Sequence, residues 1–329
     1  MERRSIFAVA LLVVALTGGC GGGGKAPAGT TSAASGAASA APVSAFPAVR
    51  RGQSIERVLA GVQAGGPELA PSVSVVVPGV NRVGFGLFGA DGKMAREDAV
   101  ALYAARRDGS RVAGPFPARR ESLAVGAPFR SQQTASDATP YVYVSSVRFP
   151  TTGTFGLIAV TRSGGALRAS SPVPVKVGPP GSGPPAPGDM APVIYTLTPE
   201  QVGGDLAKLT TRLPPLRSLV DTDFASVAGR KPVVIAFATP QLCQSRVCGP
   251  VVDVLAELQA RYGKQVAFIQ QEVYVDNDPA KGLRPQLLSY RLRTEPWTFV
   301  IDARGRITAR FEGAASLEEV GAAVRGVLP

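Results

Sequence analysis

The sequence predicts a multidomain chain, with an N-terminal all-β sandwich over residues 70–178 and a C-terminal α/β fold over residues 218–329. Three observations carry that reading. Between Ser72 and Val177, six short β-rich runs follow one another, separated by Gly, Pro and Asp and without helical periodicity. Beyond Lys231, strand-like and helix-like periods alternate. Between the two parts, residues 179–217 read as an interdomain linker, because the stretch GPPGSGPPAPGDMAP at 178–192 is dense in Pro and Gly. At 329 residues the chain is long enough for each part to bury its own core.

The elements can be justified in chain order. Arg3 and Arg4 precede the apolar run Ile6–Leu16, and Thr17, Gly18, Gly19 and Cys20 follow it, which is the order of an export signal. Eleven apolar residues fall short of the roughly 20 that a membrane span needs. The segment Leu16-Thr17-Gly18-Gly19-Cys20 resembles a bacterial lipoprotein signal, with Thr17 where that pattern carries Leu. The resemblance implies a signal peptide over 1–19, lipid modification of Cys20, and an extracytoplasmic protein anchored to the cell membrane. Lipidation would also account for the odd count of three cysteines. Residues 20–46, almost wholly Gly, Ala, Ser, Thr and Pro after the cysteine, read as a flexible tether with a reach of roughly 25–30 Å.

In the β part the predicted strands are 72–77, 82–88, 99–105, 141–149, 154–161 and 172–177. Val83, Phe85 and Leu87, and Tyr141, Tyr143, Ser145 and Val147, alternate with period two, so one face of each strand is buried. In outline the region resembles the immunoglobulin-like accessory domains of bacterial envelope proteins, without an inter-sheet cysteine pair or a core Trp. Asp91, Glu97, Asp98 and Asp108 stand beside turn residues, where solvated carboxylates are expected. A spacer or docking role is therefore expected for this part.

In the C-terminal part, strand Pro232–Ala238 leads into the loop TPQLCQSRVCGP. A helix follows at Val251–Tyr262, then a strand at Val266–Tyr274 and a short helical stretch near Pro285–Arg291. The hairpin Trp297–Ile301 and Ile307–Phe311 precedes a last helix that Ser316 and Glu319 cap. This order, with cysteines after the first strand and Pro296 opening the third, resembles the thioredoxin-like superfamily over about 110 residues. The resemblance implies a cis peptide at Pro296, and substrate contacts at Glu295, Pro296 and Trp297, although Trp297 reads equally well as a core residue. The stretch Glu272–Pro285 reads as a solvated connection, with a recognition loop as the other reading.

The cysteine motif departs from that superfamily, since four residues separate Cys243 from Cys248. In one register Cys243 takes the first active-site position; in the other, Cys248-Gly249-Pro250 takes it. The separation can be bridged if the loop folds back to bring the Cα atoms within about 4.4–6.8 Å. Cys248, at the start of a helix, is expected to be the thiol with the lower pKa and Cys243 its resolving partner. The function expected is thiol-disulfide exchange with the protein thiols or disulfides of the cell envelope. The alternative is a non-catalytic binding or scaffold lipoprotein in which the same pair is a structural disulfide.

No cofactor or metal is expected. Histidine is absent, which excludes imidazole proton transfer, His-containing metal sites and His-based nucleophilic triads. The copper-delivering relatives of the superfamily add a His that this chain lacks. Peroxiredoxins place Thr three residues before the reactive cysteine and Pro directly after it, where Cys248 has Ser245 and Gly249. The formal charge of +11 falls to +10 once Glu2, Arg3 and Arg4 leave with the signal peptide. The arginines are scattered and not interleaved with aromatics, so no nucleic-acid partner is expected. The sequence leaves the oligomeric state open.

Overall fold

A computed structural model describes residues 39–137 and 139–328. The expected signal peptide, Cys20 and most of the tether lie outside the described residues.

The β region opens with α1 (Ile55–Val58), β1 (Gln63–Ala64), β2 (Glu68–Pro71), β3 (Gly79–Phe88), β4 (Ala99–Arg106) and β5 (Ala113–Ser122). Then come α2 (Gln132–Asp137), β6 (Tyr141–Phe149), β7 (Gly153–Ser163), β8 (Ala166–Ala169) and β9 (Val173–Val177). The strands form one sheet in the order β1-β8-β7-β4-β5-β6-β3-β2, with β9 also paired to β7. Where the sequence suggested a sandwich, a single nine-stranded sheet curls into a half-barrel. Its hollow is filled by Phe85, Leu87, Leu102, Tyr143, Phe149 and Phe155, so the inward residues of the curled strands meet one another.

The outer side of β4 and β7 is also dry. Tyr103, Ile158 and Val160 pack there against Phe46, Ile55 and Val58, and the Tyr103 hydroxyl donates to the Pro47 carbonyl at 2.7 Å. The last residues of the expected tether are thus packed, because Phe46 has an apolar face to cover. The run 72–77 is not a strand; Val76 makes one isolated bridge to Val177, and β2 lies just before it. Strands β5 and β8 were not anticipated. Pro115 and Pro117 hide β5, and Gly114–Pro115 lies opposite Tyr103, where the β4 register shifts, so the missing N–H of Pro115 interrupts no regular rung.

The C-terminal region contains α3 (Phe224–Val227), β10 (Val233–Phe237), α4 (Cys248–Tyr262), β11 (Ala267–Gln271), α5 (Pro285–Ser289), β12 (Trp297–Ile301), β13 (Ile307–Glu312) and α6 (Leu317–Arg325). The sheet order is β11-β10-β12-β13, with β10 parallel to β11 and antiparallel to β12. Every residue of β10, β11 and β12 is buried, which fits the apolar run of β10 and leaves Gln270, Gln271 and Thr298 as buried polar side chains of its two neighbours. Helices α4 and α6 cover one face and α3 and α5 the other. Ser316 and Glu319 form both bonds of a capping box at α6.

The stretch read as a linker is fastened to this second sheet. Ala191 and Ile194 enter its core, and backbone bonds from Gly188 to Ile307, Ile307 to Asp189 and Ala191 to Gly305 add a short edge beside β13. The two sheets belong to one compact unit.

Candidate functional site

The site is the loop that joins β10 to α4, at the end of β10 that pairs with the start of β12. Cys243 and Cys248 are joined as a disulfide with their Cα atoms 6.0 Å apart. The loop closes because the Arg246 N–H donates to the Cys243 carbonyl at 3.3 Å and Arg246 adopts a left-handed φ of 57°. The Cys243 sulfur lies 3.2 Å from the Ser245 hydroxyl. Cys248 begins α4, whose cap position holds Val247 with no side-chain capping bond. A sulfur at that point meets the positive end of the fifteen-residue helix.

The two sulfurs differ in access. Cys248 is fully buried among Val125, Val247, Val251 and Val252, whereas Cys243 is only partly buried at the edge of the same cluster. Gly249 explains how closely the helix start is covered: a Cβ there would lie 3.2 Å from the Thr134 hydroxyl of α2. Helix position, with Arg246 nearby in sequence, favours Cys248 as the thiol of lower pKa. The packing leaves Cys243 as the sulfur within reach of a partner.

Glu295, Pro296 and Trp297 stand close to this loop in the sheet. Trp297 pairs with Phe237, the last residue of β10, so Pro296 lies beside Ala238, where the cysteine loop begins. The Glu295–Pro296 peptide is cis. Glu295 is partly exposed, and the Tyr274 hydroxyl faces its carboxylate at 3.5 Å. Burial pushes the Glu295 carboxyl above its ordinary value, and the bond from Tyr274 opposes that rise. Trp297 is a core residue: only 1% is exposed, its ring stacks on Phe299, and its Nε1 donates to the Thr294 hydroxyl at 3.0 Å.

Sequence reasoning missed the buried polar layer beneath the loop. Glu272 is 1% exposed and accepts from the Thr211 N–H at 2.6 Å and the Thr211 hydroxyl at 2.7 Å. The same hydroxyl accepts from the Gln241 N–H at 3.2 Å, two residues before Cys243. Burial drives the Glu272 carboxyl upward, while the N–H and hydroxyl of Thr211 pull against that rise. Thr239, in the cysteine loop, is fully buried. The signal for Glu272 was its phase: it continues the alternation of Phe268 and Gln270 toward the α4 face. The stretch 272–285 is accordingly not a simple solvated connection, since Val273 and Arg284 are also buried.

A second missed group holds α4 in place. Asp253 is fully buried and accepts from the Ser131 N–H at 2.9 Å, the Ser131 hydroxyl at 3.0 Å and Arg212 Nε at 3.2 Å. Arg212 also donates to the Phe129 carbonyl at 2.8 Å. One turn along, Glu257 accepts from the Gly126 N–H at 2.8 Å. Segments that follow β5 cover both carboxylates through the Gly126 and Ser131 N–H groups.

Among the described residues, no three His, Cys, Asp or Glu side chains gather as a metal site, and no helix is long and apolar enough to cross a membrane. The chain matches no protein-family model and no curated protein.

Proposed function

We propose that this chain is an extracytoplasmic, lipid-anchored, thioredoxin-like protein that exchanges disulfides with proteins of the cell envelope through Cys243 and Cys248. The observation that carries the reading is the pair itself: a disulfide in a strand-to-helix loop, one sulfur accessible and the other buried at a helix N-terminus. The order β11-β10-β12-β13, with β10 followed directly by the cysteine loop, supports the fold assignment. The curled β region would act as an immunoglobulin-like spacer or docking module.

In the exchange, a client thiolate attacks the Cys243 sulfur, the Cys243–Cys248 bond breaks, and its electron pair leaves on Cys248. That thiolate forms at the N-terminus of α4, where the helix dipole stabilises it. The client's second thiolate then attacks the mixed disulfide, releasing Cys243 and carrying the client's disulfide away. Two electrons and two protons pass to the cysteine pair, and the same steps run in reverse.

The burial of Cys248 also favours a second reading, a scaffold protein whose disulfide pins the loop against the β region. Equilibration of the purified chain in glutathione buffers separates the two. Exchange requires a reduction potential above about −300 mV, whereas a pair that resists glutathione-range reductants is structural. Mass spectrometry of Cys20 from membranes tests the anchor, and an unmodified secreted chain would refute it.

A further inference from the structure

We infer that the cavity beside Trp297 receives an acidic stretch of the client polypeptide. The cavity holds about 660 Å³ and lies between the segment following β9 and the chain entering β12. Its lining contains three cations, Lys176, Arg291 and Arg293, and no carboxylate. Arg291 gives one bond, to the Gly181 carbonyl at 3.3 Å. Lys176 and Arg293 are exposed and make no ion pair among the described residues. Val75, Leu288 and Trp297 supply apolar walls. Glu312 is occupied behind the wall by the N–H groups of Ser74 at 2.7 Å and Val75 at 3.2 Å and by the Thr294 hydroxyl at 3.2 Å.

Three largely unpaired cations around a partly apolar hollow favour an anion that also carries apolar groups. Its place in the chain points to a polypeptide. Thr294 and Trp297 line the cavity, and Glu295–Pro296 between them is the stretch at which the resemblance to the thioredoxin-like superfamily implies client contact. An extended chain advances about 3.3 Å per residue, so a client running past Pro296 brings its next few residues to the cations. This inference takes the identity of the partner from the exchange reading, whereas the binding itself does not need the cysteines.

Trp297 is the only tryptophan in the chain and therefore reports on the cavity directly. The full chain is titrated with a blocked, cysteine-free peptide of alternating Glu and Leu, and with its Lys-for-Glu counterpart, following Trp297 emission and, in parallel, binding heat. The acidic peptide should saturate and the basic one should not bind. The double variant Lys176→Glu/Arg293→Glu, which changes two exposed side chains, should weaken the acidic peptide at least about tenfold, as should raising the salt toward 1 M. Equal binding of both peptides, no binding of either, or an affinity unchanged in the double variant would overturn the inference. Saturation by inorganic phosphate with no gain from the peptide would also overturn it, assigning the cavity to small anions. Because the peptide has no thiol, failure of the exchange reading leaves these outcomes unaltered.

Discussion

The two sheets bury their polar groups differently. Within the curled sheet the interior is apolar, and its buried polar side chains are hydroxyls, as Ser145 is with its bonds to the carbonyls of Phe116 and Pro117, apart from Glu121, which pairs with Arg119 and meets Ser316 of the C-terminal region. The C-terminal region buries charge: Glu272 beneath the cysteine loop, and Asp253 with Arg212 where α4 meets the β region. Buried charge costs several kcal/mol unless it is bonded on every side, so the C-terminal region is the part of the molecule where loss of a single partner should cost most. The β region contributes to that part by donating Gly126 and Ser131 N–H groups to carboxylates of α4.

The largest test of this contrast is Asp253→Ala. It leaves Arg212 buried without its carboxylate and should cost about 3–5 kcal/mol in denaturant unfolding. A loss below about 1 kcal/mol would mean that the seam is not held by charge. Next comes Ser316→Ala, which removes the α6 cap and the 2.7 Å bond to Glu121 of the curled sheet; about 1–2 kcal/mol is expected by the same measurement. Smallest is Thr161→Val within the curled sheet. The Thr161 hydroxyl is buried without a partner, so an apolar replacement of the same shape should leave stability unchanged or raise it by less than about 1 kcal/mol.

Glu272 sharpens the contrast through pH. Its folded-state carboxyl titrates above the ordinary value of 4.5, so above that value the folded chain keeps a proton that the unfolded chain has lost. Rising pH therefore costs stability across the window between the two values. Glu272→Gln should flatten that part of the stability profile and gain on the parent protein as pH rises. Glu97, Glu295 and Glu312 are also raised, but they are common to both proteins and cancel in the difference. Parallel profiles would show that Glu272 carries no such burden.

Most strands were legible as short β-rich runs bounded by turn residues, β3 and β6 by period-two alternation as well, and α6 through Ser316 and Glu319. Strand β5 was hidden because Pro115, Pro117 and the charged run Arg119–Glu121 argue against a strand, and only its neighbours β4 and β6 make it one. The linker looked open because Pro and Gly dominate it, yet Ala191 and Ile194 find a core. At the site, Cys243, Cys248 and Pro296 were legible from order along the chain. Their relative access was not, because part of the cover over the start of α4 comes from Val125 and from residues 131–134, more than a hundred positions away. Glu272 and Asp253 escaped for the same reason: burial of a carboxylate depends on partners that local sequence does not display.

The central claim, that exchange begins at Cys243 with Cys248 as the buried leaving sulfur, is tested most directly by trapping. Cys248→Ser and Cys243→Ser are each treated with a protein disulfide and quenched with acid, and the products are mapped by mass spectrometry. The account predicts a stable mixed disulfide on Cys243 in Cys248→Ser and almost none in Cys243→Ser. A mixed disulfide forming readily on Cys248, or on neither cysteine, would contradict it.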